Sequence, residues 1–213
     1  MAHGKVLTGN IVAVALVTAG ASAEGAVLPS PEMLSRKTVA VVSYVSVRLG
    51  TITKREFQRA LIQEAAANGL DSVPRPGGAK YEELKRASMG SLLDQVWIKG
   101  QAAEMGITVT RDQVTRTLAR LKKVFESAAE YREFLKEAHF TRRDVNERIE
   151  VQMLAERIRG RVERKAGGKS GRNEVVRDFV AALEQRWRAR TVCALEYAID
   201  RCSNGSTGSA ASG

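Results

Sequence analysis

The stretch from Ser91 to Val114 constrains the fold most, because it carries signals for the end of one helix, a tight turn and the start of another. Gly106 stands where a left-handed residue would end the first helix, and Ile107 follows it as the apolar residue that packs back on the last turn. Thr110, followed by Gln113, predicts a capping box that starts the second helix. Before the turn, apolar residues recur at the spacing of one buried helical face: Leu92, Leu93, Val96, Trp97 and Ala103.

The capping signal at Thr110 recurs at two other places in the chain. Thr53 is followed by Glu56, and Thr141 is followed by Asp144, at the same spacing. Each pair precedes an amphipathic stretch, so the sequence predicts that a helix begins at each of these threonines.

The ends of the predicted domain carry two further signals. A run rich in β-branched residues over residues 39–47, ended by Gly50, predicts a strand or a buried extended segment. An apolar stripe over residues 173–190 predicts a last helix. Strand-like and helix-like stretches do not alternate along the chain. We therefore predict a mainly α domain of about six helices, with a short N-terminal strand-like segment and a C-terminal helix that closes it.

The first residues of the chain have the order of a secretory signal peptide. Residues 1–23 carry a single charge at Lys5, then an uncharged apolar run, then small residues at Ala21 and Ala23. The apolar run is too short and too rich in small residues to predict a membrane span. We expect export from the cytoplasm, with retention as an anchor if the segment is not cleaved. A buried N-terminal strand or helix is the alternative interpretation.

Beyond the signal peptide we expect a linker over residues 24–37, a helical domain over 38–202 and a disordered tail over 203–213. Cys193 and Cys202 are the only cysteines, so they permit a single pairing. In an oxidising compartment we expect a disulfide that holds the chain end in place. Two free buried thiols are the alternative.

The charge of the chain suggests a second class of function. The net charge is +10 and the pI is near 9.9, which predicts attraction to anionic partners. A basic run over residues 157–172 contains one acid, Glu163, and three arginines flank Trp187. The alternative function is therefore a basic helical binder of anionic polymers or nucleic acid. Because predicted export argues against nucleic acid, the expected partners are anionic cell-envelope polymers or lipid headgroups. The basic residues of the run are Arg157, Arg159, Arg161, Arg164, Lys165, Lys169 and Arg172.

The sequence shows no arrangement of residues that is typical of a catalytic centre. Histidine occurs only at His3, inside the predicted signal peptide, and at His139, beside a helix start, where a structural role is expected. Nucleophile–histidine pairs and histidine metal sites are therefore nearly excluded, and the glycine-rich nucleotide-binding motifs do not occur. We predict no enzyme activity, no metal and no cofactor.

Seven segments follow one another in order: ITKREF at 52–57, YEEL at 81–84, LLDQVWI at 92–98, AEMGITVT at 103–110, YREFLK at 131–136, TRRDV at 141–145 and LAERI at 154–158. In that order they resemble the SurA N-terminal domain, the chaperone module of the SurA/PrsA family of bacterial extracytoplasmic foldases. The resemblance covers residues 39–162. The segment WRARTVC at 187–193 resembles the C-terminal segment that packs back on this module in the same family.

The resemblance implies an exported, chaperone-like protein that binds unfolded or extended polypeptides outside the cytoplasm. Relatives commonly carry a parvulin-type prolyl isomerase module between the long helix and the last one, where this chain has only residues 165–173. Isomerase activity is therefore not implied, and a degenerate isomerase is a second alternative. Relatives also open with a Val-Asn-Gly turn, which residues 43–50 replace here, so the edge of the first strand is expected to differ.

Methionine and aromatic side chains suit a surface that must fit many client sequences. Such a surface would hold extended apolar segments, while charged faces keep the complex soluble. The competing interpretation places most of these side chains in the core; Trp97 is the expected core anchor, and Met105 is expected to face a client. The candidate peptide contacts are Trp97, Met105, Phe125, Tyr131, Phe134 and Met153.

Overall fold

The computed structural model describes residues 28–165 and 172–205, which form seven helices and three short strands. The helices are α1 (Val47–Gly50), α2 (Lys54–Ala67), α3 (Ala79–Glu104), α4 (Arg111–Leu121), α5 (Ala128–Glu137), α6 (Arg142–Lys165) and α7 (Arg172–Ala189). The strands are β1 (Thr38–Val42), β2 (Thr51–Thr53) and β3 (Thr191–Cys193). The predicted mainly α fold is confirmed, with the four-residue α1 as an additional helix. The predicted signal peptide lies outside the described residues, as do parts of the predicted linker and tail.

The three strands form one antiparallel sheet in the order β2-β1-β3, so the N-terminal strand is its centre. Val41 lies opposite Thr51 on one side of β1, and Ala40 lies opposite Cys193 on the other. The sheet therefore joins the two ends of the domain. The strand β3 was not predicted, because the expected secondary structure at this end of the chain was only the last helix.

The strand expected over residues 39–47 is shorter than predicted, since β1 ends at Val42. The chain turns at Tyr44, which takes a left-handed φ of 66°, and Val47 begins α1. Gly50 ends α1 rather than the strand. A Cβ atom on Gly50 would lie 2.2 Å from the carbonyl oxygen of Val42, so only glycine lets the chain approach β1 this closely.

The predicted helix starts are confirmed. Thr53 and Glu56 form a reciprocal capping box at α2, and Thr110 does the same with Gln113 at α4. At α6 the amide of Thr141 donates to the Asp144 carboxylate at 2.8 Å, and the amide of Asp144 donates back to the Thr141 hydroxyl at 3.2 Å. These bonds satisfy amides that the helix itself leaves without partners.

The predicted end of α3 is also confirmed. Gly106 has a φ of 61°, and its amide donates to the carbonyl of Ala103 at 3.0 Å. The amide of Ile107 donates to the carbonyl of Ala102 at 2.8 Å, which completes a Schellman motif. One detail of the predicted apolar stripe is wrong: Ala102, not Ala103, is buried, because the helix face turns toward α6 at this point.

The largest group of buried residues packs around the sheet, and we call it the sheet-centred core. Trp97 from α3 and Trp187 from α7 meet there; the Trp97 indole donates to the Thr191 hydroxyl at 3.0 Å, and that hydroxyl donates to the Trp187 carbonyl at 2.7 Å. A Cβ atom on Gly100 would lie 2.3 Å from the Trp187 ring, so this glycine lets α7 come close to α3. The predicted role of Trp97 as a core anchor is confirmed by its 1% exposure.

The C-terminal loop closes this core through the predicted disulfide, which is confirmed between Cys193 and Cys202 with an S–S distance of 1.98 Å. The side chain of Asn204 pairs with both backbone groups of Cys193, at 3.0 and 2.8 Å, as a further strand would. The amide of Ser203 donates to the carbonyl of Thr191 at 2.8 Å. Ser203 and Asn204 therefore cover the free edge of β3.

Two smaller clusters lie along α6. One joins the end of α3 to the second half of α6 through Ala102, Ile107, Leu154 and Ile158. The other joins α4, the 3₁₀ turn Lys122–Val124 and α5 to the first half of α6, and we call this part the outer layer. Its buried residues are Leu118, Tyr131, Val145 and Ile149. Among the described helices, none is both long enough and apolar enough to cross a bilayer.

Candidate functional site

The structure separates the six candidate peptide contacts into different environments. Trp97 belongs to the sheet-centred core and Met105 to the cluster at the end of α3. Tyr131 is buried in the outer layer with 6% exposure, whereas Phe134 has 39% of its surface exposed. The remaining two candidates, Phe125 and Met153, are half-buried in the outer layer. Trp97 and Tyr131 therefore lie in the core, and Phe125 is the candidate whose ring packs against the exposed Phe134.

The outer layer contains a chain of four aromatic rings, which we call the aromatic cluster: Phe125, Tyr131, Phe134 and Phe140. The centroid of Phe125 lies 5.2 Å from that of Tyr131 and 5.3 Å from that of Phe134. Phe134 lies 6.3 Å from Phe140. The Phe125–Tyr131 pair is edge-to-face, an arrangement that the ring quadrupoles favour. The cluster is anchored inside by Tyr131 and reaches solvent through Phe134.

Local turns place these rings together. The 3₁₀ turn after α4 ends at Phe125, whose backbone is extended, so the chain reverses before α5. Ser127 then caps α5 by accepting the amide of Glu130 at 3.1 Å. After α5, His139 takes a φ of 53° and the amide of Phe140 donates to the carbonyl of Leu135 at 2.8 Å. His139 therefore ends a helix in the way that a glycine usually does, which gives it the expected structural role.

Two further apolar residues are exposed beside the aromatic cluster. Leu121 has 40% and Val124 has 74% of its surface exposed, and both precede Phe125 in the chain. We call these two residues, together with Phe125 and Phe134, the apolar face of the outer layer, because all four are partly exposed and lie in or next to the segment that carries the aromatic cluster. Sequence reasoning did not identify Leu121 as a surface residue and missed Val124. Their position at the end of α4 was the available signal. The apolar stripe of α4 continues there beyond the part of the helix that packs on α6.

Charges of both signs surround the apolar face. The ammonium group of Lys122 lies 4.8 Å from the centre of the Tyr131 ring, a cation–π contact. Lys136 and Glu133 form an exposed ion pair at 3.3 Å on α5. Lys123 and Glu126 are exposed on either side of Phe125. The apolar face is therefore surrounded by charged side chains that remain in contact with solvent.

A polar joint holds the outer layer to the sheet-centred core. The side-chain amide of Gln63 on α2 donates to the carbonyl of His139 at 3.2 Å and to the Asp144 carboxylate at 3.4 Å. Asp144 is 9% exposed, and its carboxylate also forms an ion pair with the guanidinium of Arg59 at 3.7 Å. Arg148 lies over the Phe140 ring at 4.5 Å and donates to Gln63 at 3.4 Å. These contacts position the turn between α5 and α6.

The resolved pKa shifts create no group suited to proton transfer. A hydrogen bond to Glu196 raises the pKa of Lys54, and one to Glu147 raises the pKa of Arg143. Burial raises the pKa of Tyr197 above its usual range. Each shift favours the protonated form that the group already has near neutral pH. Among the described residues, no group of three or more histidines, cysteines and carboxylates could hold a metal ion.

The basic run is partly used inside the fold. The guanidinium of Arg157 donates to the carbonyl of Thr108, and that of Arg161 donates to the carbonyl of Met105. Arg159 pairs with Glu163 at 2.7 Å on another face of α6. Of the arginines beside Trp187, Arg186 and Arg190 pair with Glu104. Lys169 lies outside the described residues. The run is therefore a mixture of structural contacts and accessible charge.

Comparison with known proteins gives one match. A family model described as the SurA-like N-terminal domain matches residues 4–159, from the N-terminal region through most of α6. No curated protein and no solved structure matches significantly. The matched range includes the helix starts at Thr53, Thr110 and Thr141, the turn at Gly106 and the outer layer, whereas α7 and β3 lie beyond it. The chain therefore belongs to the family of SurA-like N-terminal domains.

Proposed function

We propose that this protein is a chaperone that binds unfolded or extended polypeptides outside the cytoplasm and assists their folding without catalysis of its own. Membership of the SurA-like family suggests a chaperone-like role and the binding of client polypeptides in general. The observation that carries the proposal is the apolar face of the outer layer, where Phe134 is exposed against the Phe125 ring that packs on the buried Tyr131, and Val124 is exposed directly before Phe125 in the chain.

The mechanism is holding. An extended apolar segment of a client covers the apolar face and removes both surfaces from water. Each partly exposed side chain contributes roughly 1 kcal/mol when covered, so a contact with this small face is weak and exchanges rapidly. A chaperone benefits from such binding, because the client must be released to fold. Lys123 and Glu126 at the rim keep the bound complex hydrated.

The proposed compartment follows from the family and the disulfide. The SurA-like family is extracytoplasmic, and a disulfide persists in an oxidising compartment. Cys193 and Cys202 both have no exposed surface, which suits a permanent structural disulfide. We propose that the predicted signal peptide over residues 1–23 directs export.

A SurA-like N-terminal domain is by itself non-catalytic. Only residues 166–171 separate α6 from α7, so no domain-sized module interrupts the chain at that point. No observation on the described residues supports the alternative of a degenerate isomerase. The proposal therefore assigns binding rather than turnover to this chain.

Light scattering from a chemically denatured client, diluted into buffer with the protein, tests the proposal. At a stoichiometric ratio we expect the wild-type protein to suppress aggregation. Val124→Ser and Phe134→Ser should weaken the suppression, because each places a hydroxyl on the apolar face. Val47→Ser is the matched control, since Val47 is 84% exposed in α1 and outside that face. If the wild-type protein does not suppress aggregation, the proposed function is refuted. If Val124→Ser and Val47→Ser lose suppression equally, the assignment of client binding to the apolar face is refuted.

A further inference from the structure

The second half of α6 and the turn between α3 and α4 enclose a cleft of about 500 Å³. Arg157, Arg161 and Arg164 all line it, at the spacing that places side chains on one face of a helix. The turn residues Gly106, Ile107 and Thr108 form the opposite wall, and Glu156 and Gly160 complete the lining. We call this feature the arginine cleft.

Two of the three arginines are held in place by the fold. Arg157 and Arg161 are half-buried, and their guanidinium groups donate to the carbonyls of Thr108 and Met105 at the end of α3. Each guanidinium has five N–H donors in a rigid fork, so one such contact leaves several donors for a ligand. A ligand would not have to immobilise these two side chains, which lowers the entropic cost of binding.

Arg164 has no comparable structural partner among the described residues. Within the same part of the chain, none of the three cleft arginines forms an ion pair, whereas Arg159 on the same helix pairs with Glu163 at 2.7 Å. Of the described residues that line the cleft, Glu156 is the one acid, and it accepts a hydrogen bond from Gln152 at 3.0 Å. Three like charges share the cleft against one carboxylate. The excess positive charge repels itself unless an anion joins it.

Gly160 leaves the floor of the cleft without a side chain. It lies inside α6, where glycine costs roughly 0.5–1 kcal/mol relative to alanine. A Cβ atom there would make ordinary contact, at 3.4 Å, with a terminal nitrogen of Arg164. The guanidinium of Arg164 therefore lies directly over this glycine.

We propose that the arginine cleft binds a phosphate group. A phosphate offers several acceptor oxygens and up to two negative charges. It can therefore accept hydrogen bonds from guanidinium groups that approach from more than one direction, which a single carboxylate does less well. The group could belong to a soluble phosphate ester or to a phospholipid headgroup. Arg161 lies sixteen residues beyond Val145 and twelve beyond Ile149 in α6, about 24 Å and about 18 Å along the helix axis from these two buried residues of the outer layer. The chain can therefore hold an anion and present its apolar face at the same time.

Two probes and one matched pair of variants test the site. Isothermal titration of the full chain with inorganic pyrophosphate measures binding of the soluble group, and flotation with phosphatidylglycerol vesicles, against phosphatidylcholine vesicles, measures binding of the headgroup. Arg164→Gln should weaken binding at least about tenfold, because it removes charge-assisted hydrogen bonds. Arg159→Gln removes the same charge from a residue outside the cleft and should change binding less than about twofold. Unlike Arg157 and Arg161, Arg164 forms no hydrogen bond with a carbonyl of the described residues, so its replacement should leave the end of α3 intact.

The outcomes separate the two sources. Weakening of pyrophosphate binding by Arg164→Gln alone supports a soluble ester, and weakening of vesicle binding alone supports a headgroup. Failure of the wild-type protein to bind either probe would overturn the proposal. Equal weakening by Arg159→Gln and Arg164→Gln would also overturn it, because attraction to overall charge would then explain the binding.

Discussion

The sheet-centred core and the outer layer differ in how their aromatic groups are paired and buried, although each region has one buried hydroxyl, that of Ser88 on α3 and that of Tyr131, without a partner among the described residues. In the core, the indole of Trp97 donates to Thr191 and the indole of Trp187 donates to Gln101 at 3.2 Å. In the outer layer, the hydroxyl of Tyr131 is buried without a partner among the described residues, and Phe134 is partly exposed. A disulfide closes the core, whereas α4 and α5 are held by side-chain packing on α6.

This difference assigns stability to one region and adaptability to the other. A core whose indole donors are paired and whose large rings are buried resists rearrangement, because any movement exposes several groups at once. A layer that buries a few side chains can shift without losing the fold. A protein that holds many different segments needs both properties. We therefore expect substitutions in the core to change the free energy of unfolding and substitutions in the outer layer to change binding.

The sharpest test of the comparison removes one ring from each region. Trp97→Ala should lower the free energy of unfolding by about 3–5 kcal/mol, because it leaves a cavity and removes the donor to Thr191. Phe134→Ala should lower it by about 1 kcal/mol or less, since the ring is already 39% exposed. Urea unfolding of both variants measures the difference. Similar losses would show that the outer layer supports the fold as much as the core does.

The disulfide should contribute the next largest effect. Replacing both Cys193 and Cys202 by serine should cost about 2.5–3 kcal/mol, because the unfolded chain gains the freedom that the short closed loop removes. The loop also holds Tyr197 edge-on to Phe57 at 4.9 Å and Arg201 over Trp97 at 4.3 Å. Thermal unfolding with and without reductant measures the effect, and the reductant should not change the double variant. An unchanged melting temperature would mean that the loop stays in place without the bond.

The same substitution at two glycines compares a crowded position with an open one. Gly100→Ala should cost about 1–3 kcal/mol, because its Cβ atom would lie 2.3 Å from the Trp187 ring. Gly160→Ala should instead raise stability by roughly 0.5–1 kcal/mol, since a helix prefers alanine and the nearest atom is the flexible end of Arg164. Denaturation midpoints of the two variants should move in opposite directions. A gain at Gly100 would show that α7 does not pack closely on α3.

Helix starts and stops could be predicted from the sequence because their signals are local. The bonds at Thr53, Thr110 and Thr141 connect residues within one turn, and the motif at Gly106 needs only a left-handed glycine and an apolar neighbour. The chain also takes a left-handed turn at His139, at the end of α5, but without a glycine, so the sequence carries no comparable signal for the end of that helix. The existence and type of the helices were therefore more predictable than the contacts between them.

The sheet and the site depend on distant partners. The pairing of Ala40 with Cys193 joins opposite ends of the domain, and β3 is too short to show a strand pattern of its own. Tyr131 and Phe134 belong to the same short helix and were both predicted as peptide contacts, yet Tyr131 is buried and Phe134 is partly exposed. Tyr131 packs in a cluster with Val145 and Ile149 of α6, a tertiary contact that periodicity alone does not indicate.

The smallest expected effect concerns the Tyr131 hydroxyl. Tyr131→Phe should leave the free energy of unfolding unchanged or raise it by up to about 1 kcal/mol, because it removes a buried polar group that has no partner among the described residues and keeps the ring against Phe125. Trp97→Phe is the contrasting variant, since it removes an indole whose donor is paired with Thr191. Equilibrium unfolding in urea of both variants measures the contrast. A loss above about 1 kcal/mol for Tyr131→Phe would show that its hydroxyl is satisfied in solution, and the outer layer would then be as well paired as the core.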